Sequence, residues 1–510
     1  MLCTERNRLI DSPELLVEWL KQEDPQQLDR LWQAADEVRR RHVGDEVQLR
    51  ALIEISNYCV RRCAYCGIRG PNSQLVRYRM TLEEIVQTAE EAYRLGVKTV
   101  VLQAGEDPAL DAEWVAAVIR RIKQLGPIAI TLSLGERTDE ELALWRKAGA
   151  DRYLLRFETS NPYLYSLYHP PRPDGWARNR LEMLKALREL DFEVGSGVMI
   201  GLPGQTWEDL ARDLLLFAML DLDMIGCGPY IPHPHTPLGD SSVAQREGFV
   251  ANLRHLQDGE ATWGKPQGTP VSAPSCVNQA AAEAGLSTSE LGRAGFSVRW
   301  GETQRFEEEE SSSASEFPPN HRGLPCDGTD RSGVGMGTHL TSTLKTQWHV
   351  PKCSPPYQED DNLGELGNLE NKQIPLPFSP GHQFLPWAWP PTAPTDQVPA
   401  DDLTTYKVIA LSRILCPWAN IPATTALATI NPSEGRKIAL QRGANVIMPN
   451  FTPTTYRKLY EIYPNKAARF LSGKETLAAV LQTIREACRV PGTGVGTSPN
   501  YLRRKGLETS

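Results

Sequence analysis

ALIEISNYCVRRCAYCGIRGPN (residues 51–72) runs a short apolar stretch straight into a loop holding three cysteines, Cys59, Cys63 and Cys66. Residues 51–56 are aliphatic enough to predict a strand. Reactive residues at the carboxyl end of a strand are the layout of parallel α/β folds, whose sites gather at that edge.

Working outward, apolar runs alternate with helical periods. TLEEIVQTAEEAYRLG (81–96) predicts an amphipathic helix, capped by Thr81 with Glu84 three positions on. Strands are predicted at 99–105, 128–135, 153–158, 193–201 and 223–232. Helices are predicted between them at 110–126, 138–149, 179–191 and 206–221. The strands are apolar along their length, which suits parallel strands covered on both faces. The pattern stops near Leu238 and returns near Leu403. Helices follow at 403–417, 433–443 and 474–489, with a short strand and loop at 420–430 and a strand at 444–450.

The pieces add up to an α/β fold, a TIM-type (β/α)8 barrel with a long insertion after strand six. A doubly wound open sheet is the alternative, because one sequence does not show closure. The organisation reads as an N-terminal helical extension (1–50), a first barrel part (51–239), an atypical insertion (240–400), a barrel completion (401–489) and a flexible tail (490–510). The insertion is rich in Pro, Gly, Ser and acids and lacks periodicity, so it is expected to be peripheral and largely irregular. It reads equally as a lid, a docking segment or a coding artefact. Joining residue 240 to 400 through a Gly/Ser linker tests whether the barrel needs it, since loop closure costs grow slowly with length.

A formal charge of -8 does not favour a nucleic-acid surface. No run of about 18 apolar residues predicts a membrane span. The acidic N-terminus reads as a helix with Ser12 as cap and Pro13 at its first position, not as a secretory signal. A cytoplasmic location is expected. Ten cysteines in 510 residues are too sparse for a disulfide scaffold. Isolated Cys227 and Cys416 read as small buried hydrophobes.

The triplet is different. One structural zinc wants four ligands, commonly in CxxC pairs, and no second pair is present. An iron–sulfur cube needs one ligand per iron, so three thiolates leave one iron open. Zinc with a distant fourth ligand and a reactive thiol cluster remain the alternatives.

The C-x3-C-x2-C spacing resembles the radical S-adenosylmethionine (SAM) superfamily, and Tyr65 fits its usual aromatic. That resemblance implies one [4Fe–4S] cluster on Cys59, Cys63 and Cys66. Its open iron would hold the amino and carboxylate groups of SAM, which is cleaved to methionine and a 5'-deoxyadenosyl radical. More specifically, the chain resembles the HydE-type maturases of [FeFe]-hydrogenase. The matching blocks are LQAGEDP (102–108), ITLSLGER (130–137), RFET (156–159), MIGLPGQT (199–206), IGCGPYIPHPHTPL (225–238), IPATTALATINPSEGR (421–436), ANVIMPNFTP (444–453) and YEIYP (460–464). The resemblance covers about 50–239 and 401–489.

It implies roles for particular residues. Gln103, Gly105 and Glu106 form a bend that meets the methionyl end of SAM, although a plain turn explains them too. Arg156 and Glu158 lie two apart and share a strand face. The resemblance puts Glu158 on SAM and Arg156 on the cavity, with a structural salt bridge as the rival reading. Arg178 and Arg180 are expected to neutralise a carboxylate, or else to sit at a solvated helix start. The turn containing Gly201 and Pro203 offers backbone groups to adenine or ribose, or else is a plain βα loop. Thr424 and Thr425 line an anion-like site; Met448 caps the cavity or is plain core; Tyr456 and Tyr460, four apart on a helix face, line the rim or simply pack.

Some members carry a second cysteine group near the C-terminus. Here only Cys488 lies in that region, so one cluster is expected. Implied partners are SAM, a small iron-containing or amino-acid-derived substrate, an electron donor such as ferredoxin or flavodoxin, and the hydrogenase scaffold or maturation proteins. The runner-up is another biotin-synthase-like enzyme, making 3-methylornithine or biotin. The non-enzyme alternative is an iron–sulfur interaction protein.

Overall fold

The computed structural model describes residues 2–240 and 397–507. The expectation for the insertion therefore lies outside the described residues, apart from its two ends.

Six parallel strands form the central sheet: β2 (Ala51–Ser56), β3 (Thr99–Ala104), β4 (Ala129–Ser133), β5 (Arg152–Leu154), β6 (Glu193–Ser196) and β8 (Met224–Ile225), in that order. Every residue of β2 is buried, as its unbroken apolar texture requires. Three crossover helices start on capping boxes: Thr81 with Glu84, Thr138 with Glu141 and Thr206 with Asp209. Each side chain satisfies an amide that the first helical turn leaves open, contributing about 1 kcal/mol.

Beyond β8 the ladder continues as isolated parallel bridges: Met224 with Asn420, Pro422 with Val446 and Leu52 with Asn450. The Ile225 amide donates to the Asn420 carbonyl (2.9 Å), and the Phe451 amide to that of Leu52 (2.8 Å). The strand expected within 420–430 is thus reduced to these bridges. Thr425–Ile430 is helical instead, because the Thr424 hydroxyl accepts from the Leu427 amide (3.3 Å). A second sheet has the order β10 (Val446–Ile447), β1 (Glu46–Leu49), β11 (Val490–Pro491). The short β7 (Met199–Ile200) pairs with β9 (Gly228–Pro229).

Residues 490–507, read above as a flexible tail, are ordered: β11 is followed by a helix over Pro499–Arg504. They run beneath the amino ends of the strands. The Val495 carbonyl accepts from Arg152 Nη2 (2.9 Å) and from Thr99 Oγ1 (2.7 Å), and the Ser498 amide donates to Glu193 Oε2 (2.9 Å). Arg152, Glu193 and Thr99 are the first residues of β5, β6 and β3. The signal the sequence lacked is apolar periodicity, since this segment is held by polar contacts.

Arg504 grips the buried Asp223 carboxylate with two bonds of 2.7 Å. Arg504→Ala is expected to destabilise the chain by about 2 kcal/mol, the usual worth of hydrogen bonds to a charged group. Urea denaturation of the variant checks this; an unchanged midpoint would show that the clasp contributes nothing.

Among the described residues no helix is long and apolar enough to cross a membrane.

Candidate functional site

The cysteine loop leaves the carboxyl end of β2 and is fastened to four distant segments. The Val60 amide donates to the Glu106 carbonyl (2.9 Å), Ala64 to Tyr168 (2.9 Å) and Gly67 to Ile462 (2.9 Å), while the Leu238 amide donates to the Ala64 carbonyl (3.0 Å). Arg77 clamps the loop from outside, donating to the carbonyls of Asn57, Ile68 and Arg69 at 2.6–2.7 Å. Gly105 allows the close approach: a Cβ there would stand 2.2 Å from the Tyr58 carbonyl oxygen and 2.7 Å from Cys59 Cβ.

Cys63 is buried and Cys59 and Cys66 half-buried, and the three thiols are near enough to raise one another. Burial, then Cys63 and Glu106, push the Cys59 thiol up to about 12. Burial, then Cys63 and Cys59, raise Cys66. Burial also raises Cys63, against the pull of Arg180 and Arg61. Thiols placed like this become thiolates only against a bound cation. Among the described residues no three His, Cys, Asp or Glu side chains gather on a single-ion site. A four-iron cube instead spreads its thiolates over separate irons, so the donor set fits that group.

Above the thiols lies a buried charge cluster. Arg61 meets Glu136 at 3.1 Å and Glu106 at 3.9 Å; Arg180 meets Glu136 at 2.9 Å; Arg172 meets Glu106 at 3.6 Å. Arg172 also pairs with Asp174 at 2.5 Å, so three guanidinium groups meet three carboxylates. Burial, then Glu136, push the Glu106 carboxyl up, and its Oε2 makes no hydrogen bond. Across the opening, Arg156 and Glu158 pair at 3.0 Å. Glu158 Oε2 makes that ion contact without hydrogen-bond geometry, so it keeps acceptor capacity. Glu158 also holds a left-handed backbone, φ 68°, which costs a non-glycine residue about 1 kcal/mol or more.

Residues 53–217 match the family model of the radical SAM superfamily. The [FeFe]-hydrogenase maturase subunit HydE of Thermotoga maritima is 34% identical over 483 residues, spanning 95% of this chain and 92% of that protein. The chain belongs to the HydE-type family of radical SAM enzymes. A 3-methylornithine synthase of Methanosarcina barkeri is 29% identical over 242 residues, 47% of this chain and 65% of the relative. Crystal structures of methylornithine synthase (TM-score 0.56, 17% identity, 96% of this chain and 97% of that one) and of the maturase HydG (0.55, 16%, 99% and 77%) share the fold. Membership implies a [4Fe–4S] cluster and SAM, and the cysteine loop fits both.

In this HydE-type chain the expected residues divide between the cysteine loop's surroundings and other contacts. Gln103 is the next-to-last residue of β3, in register with Glu54 and Ser133. Gly105 and Glu106 lie against the cysteine loop. Arg178 follows the plainer of its two readings: at a helix start it donates to the Arg137 carbonyl and pairs with the exposed Asp139. Arg180 is the residue that faces Cys63. Gly201 and Pro203 differ from their reading as free adenine contacts. The Gly201 amide donates to Gln205 Oε1 (2.7 Å), the Leu202 carbonyl accepts from Gln397 Nε2 (3.0 Å), and Tyr168 Oη donates to the Pro203 carbonyl. The turn is thus occupied by its own chain. Met199 and Tyr230, which pack with Ala64 and Tyr65, stand on the loop side instead. Nothing in the sequence singled them out.

Thr424 caps its helix and packs beside Gly228, while Thr425 and Met448 are half-buried. Tyr456 is not at the thiols: its Oη donates to Glu84 (2.7 Å) and its ring stacks on Tyr78. Tyr460 lies beyond the end of that helix at Arg457, not on its face as expected, and is buried beside Glu54 and close to Cys66 and Cys59. Sequence reasoning also missed the buried Glu54–Lys466 pair, and Tyr463 set among Glu54, Arg436 and Arg156. A lone Glu inside ALIEIS was the available signal, because an acid in an apolar strand needs a buried partner.

Proposed function

We propose that this chain acts in assembling the diiron centre of [FeFe]-hydrogenase. The observation that carries the reading is the match to the Thermotoga maritima maturase along nearly the whole of both chains. In this reading the bridges beyond β8 complete a closed (β/α)8 barrel, with the thiols and charge cluster at its carboxyl mouth. The chain works in the cytoplasm, draws electrons from a ferredoxin- or flavodoxin-like donor, and passes product to other maturation proteins.

Cys59, Cys63 and Cys66 would hold the cluster, which supplies the electron that splits SAM into methionine and a 5'-deoxyadenosyl radical. Arg180 and Arg61 offer the methionyl carboxylate two buried cations already oriented by Glu136. Glu158 Oε2 accepts from the ribose or ammonium side. Met199, Leu202 and Tyr230 exclude water from the nucleoside end. Arg156 and Arg436, both near Tyr463, would orient an anionic, iron-containing precursor, and Thr424, Thr425 and Met448 would line its approach. Radical attack at a sulfur of that precursor, with C–S cleavage, is the step this arrangement suits.

The test is complementation. Anaerobically loaded protein should restore hydrogenase activity to a cell extract lacking this maturase. SAM cleavage without restoration, with methylornithine or biotin formed in a turnover screen, would move the chain to the runner-up class.

A further inference from the structure

Tyr65 lies between two of the three thiol donors, and its hydroxyl is not free. Tyr65 Oη is 2.8 Å from His169 Nε2, with the two rings edge to face at 5.4 Å. His169 Nδ1 is 3.0 Å from the Tyr165 carbonyl, and the Tyr165 ring stacks on the imidazole at 4.3 Å. A carbonyl only accepts, so Nδ1 carries the proton and Nε2 presents its lone pair. Tyr65 is therefore the donor, and the tautomer is set by backbone alone. Burial, and then the Arg180 and Arg61 guanidiniums, hold the imidazole well below its ordinary value, so this arrangement is the neutral one.

We infer that His169 is a positioning residue: it fixes the Tyr65 side chain, and through it the Ala64–Cys66 backbone, against the SAM pocket. The same short helix anchors both sides of this point, since the Ala64 amide donates to the Tyr168 carbonyl one residue before His169. Tyr65 packs with Met199 and Tyr230 on one side and lies near Glu158 on the other. A ring free to rotate there would leave the nucleoside end of SAM without a fixed wall. The inference rests on the SAM pocket proposed above.

The full chain, loaded with iron and sulfide under anaerobic conditions, is compared as wild type, His169→Ala, Tyr65→Phe, the double variant and His169→Gln. Iron content, the electron paramagnetic resonance spectrum of the reduced cluster with and without SAM, and the SAM dependence of 5'-deoxyadenosine formation are read. His169→Ala and Tyr65→Phe should each raise the KM for SAM about tenfold, the scale of one lost buried hydrogen bond, and blunt the SAM-induced spectral change. The double variant should be no worse than either single one. Gln presents an oxygen near the place of Nε2, so His169→Gln should recover most of the loss. A wild-type KM and spectrum in Tyr65→Phe would overturn the inference even if His169→Ala loses iron. Additive effects in the double variant would overturn it as well. The wild type's own spectral response to SAM tests the pocket separately, so the two failures are distinguishable.

Discussion

Replacing any one of Cys59, Cys63 or Cys66 with Ser is expected to reduce 5'-deoxyadenosine formation to the level of the iron-free protein. Each thiol occupies a different place on a loop pinned by the backbone of residues 106, 168, 238 and 462, so no neighbour can swing in to replace it. Cys227 is buried and Cys416 half-buried, and both thiols are pushed up to about 12, chiefly by burial. A serine hydroxyl holds its proton far more tightly than a thiol and is a poor iron ligand. The fold should survive, because the loop's fastenings are backbone bonds and the Arg77 clamp. Iron analysis with absorption spectra checks the outcome: unchanged iron and spectrum in all three variants would refute the ligand assignment.

Glu158→Gln should weaken SAM binding about a hundredfold, within the 2–5 kcal/mol that follows truncation of one partner in a buried charged contact. Glu158→Gly should lose the same affinity yet keep or gain stability. Glycine adopts φ 68° without strain, and Arg156 is a third exposed and can turn to water. Calorimetry of SAM binding, beside thermal melts, separates the two effects. Unchanged affinity in both variants would return Glu158 to a structural salt bridge.

The periodic elements were legible because their physics is local. Thr81 and Glu84, three apart before an apolar stripe, specify a helix start wherever the chain goes. The three thiols were legible by spacing. Contacts made at a distance were not. Arg178 and Arg180 are equal candidates in the sequence, and only the fold shows that Asp139 takes one and Glu136 the other. Tyr456 and Tyr460, four apart, read as one helix face, yet the helix stops at Arg457; Glu84 takes the first while the second is buried beside Glu54. The GLPG turn reads as open because its cover, Gln397 to Ala400, lies nearly two hundred residues later.

The way residues 446–450 and 490–498 return to the start of the sheet also governs how the chain reaches its native state. Thr452 meets Glu54 across 398 positions, and Gly496 meets Arg50 across 446. Contacts so remote are made late, because closure entropy must be paid before they reward the chain. Until then β2 and β8, the outer strands of the six-stranded sheet, present bare edges. Bare edges pair with other chains, so refolding yield should fall as protein concentration rises, and the aggregates should be cross-linked through these two strands first.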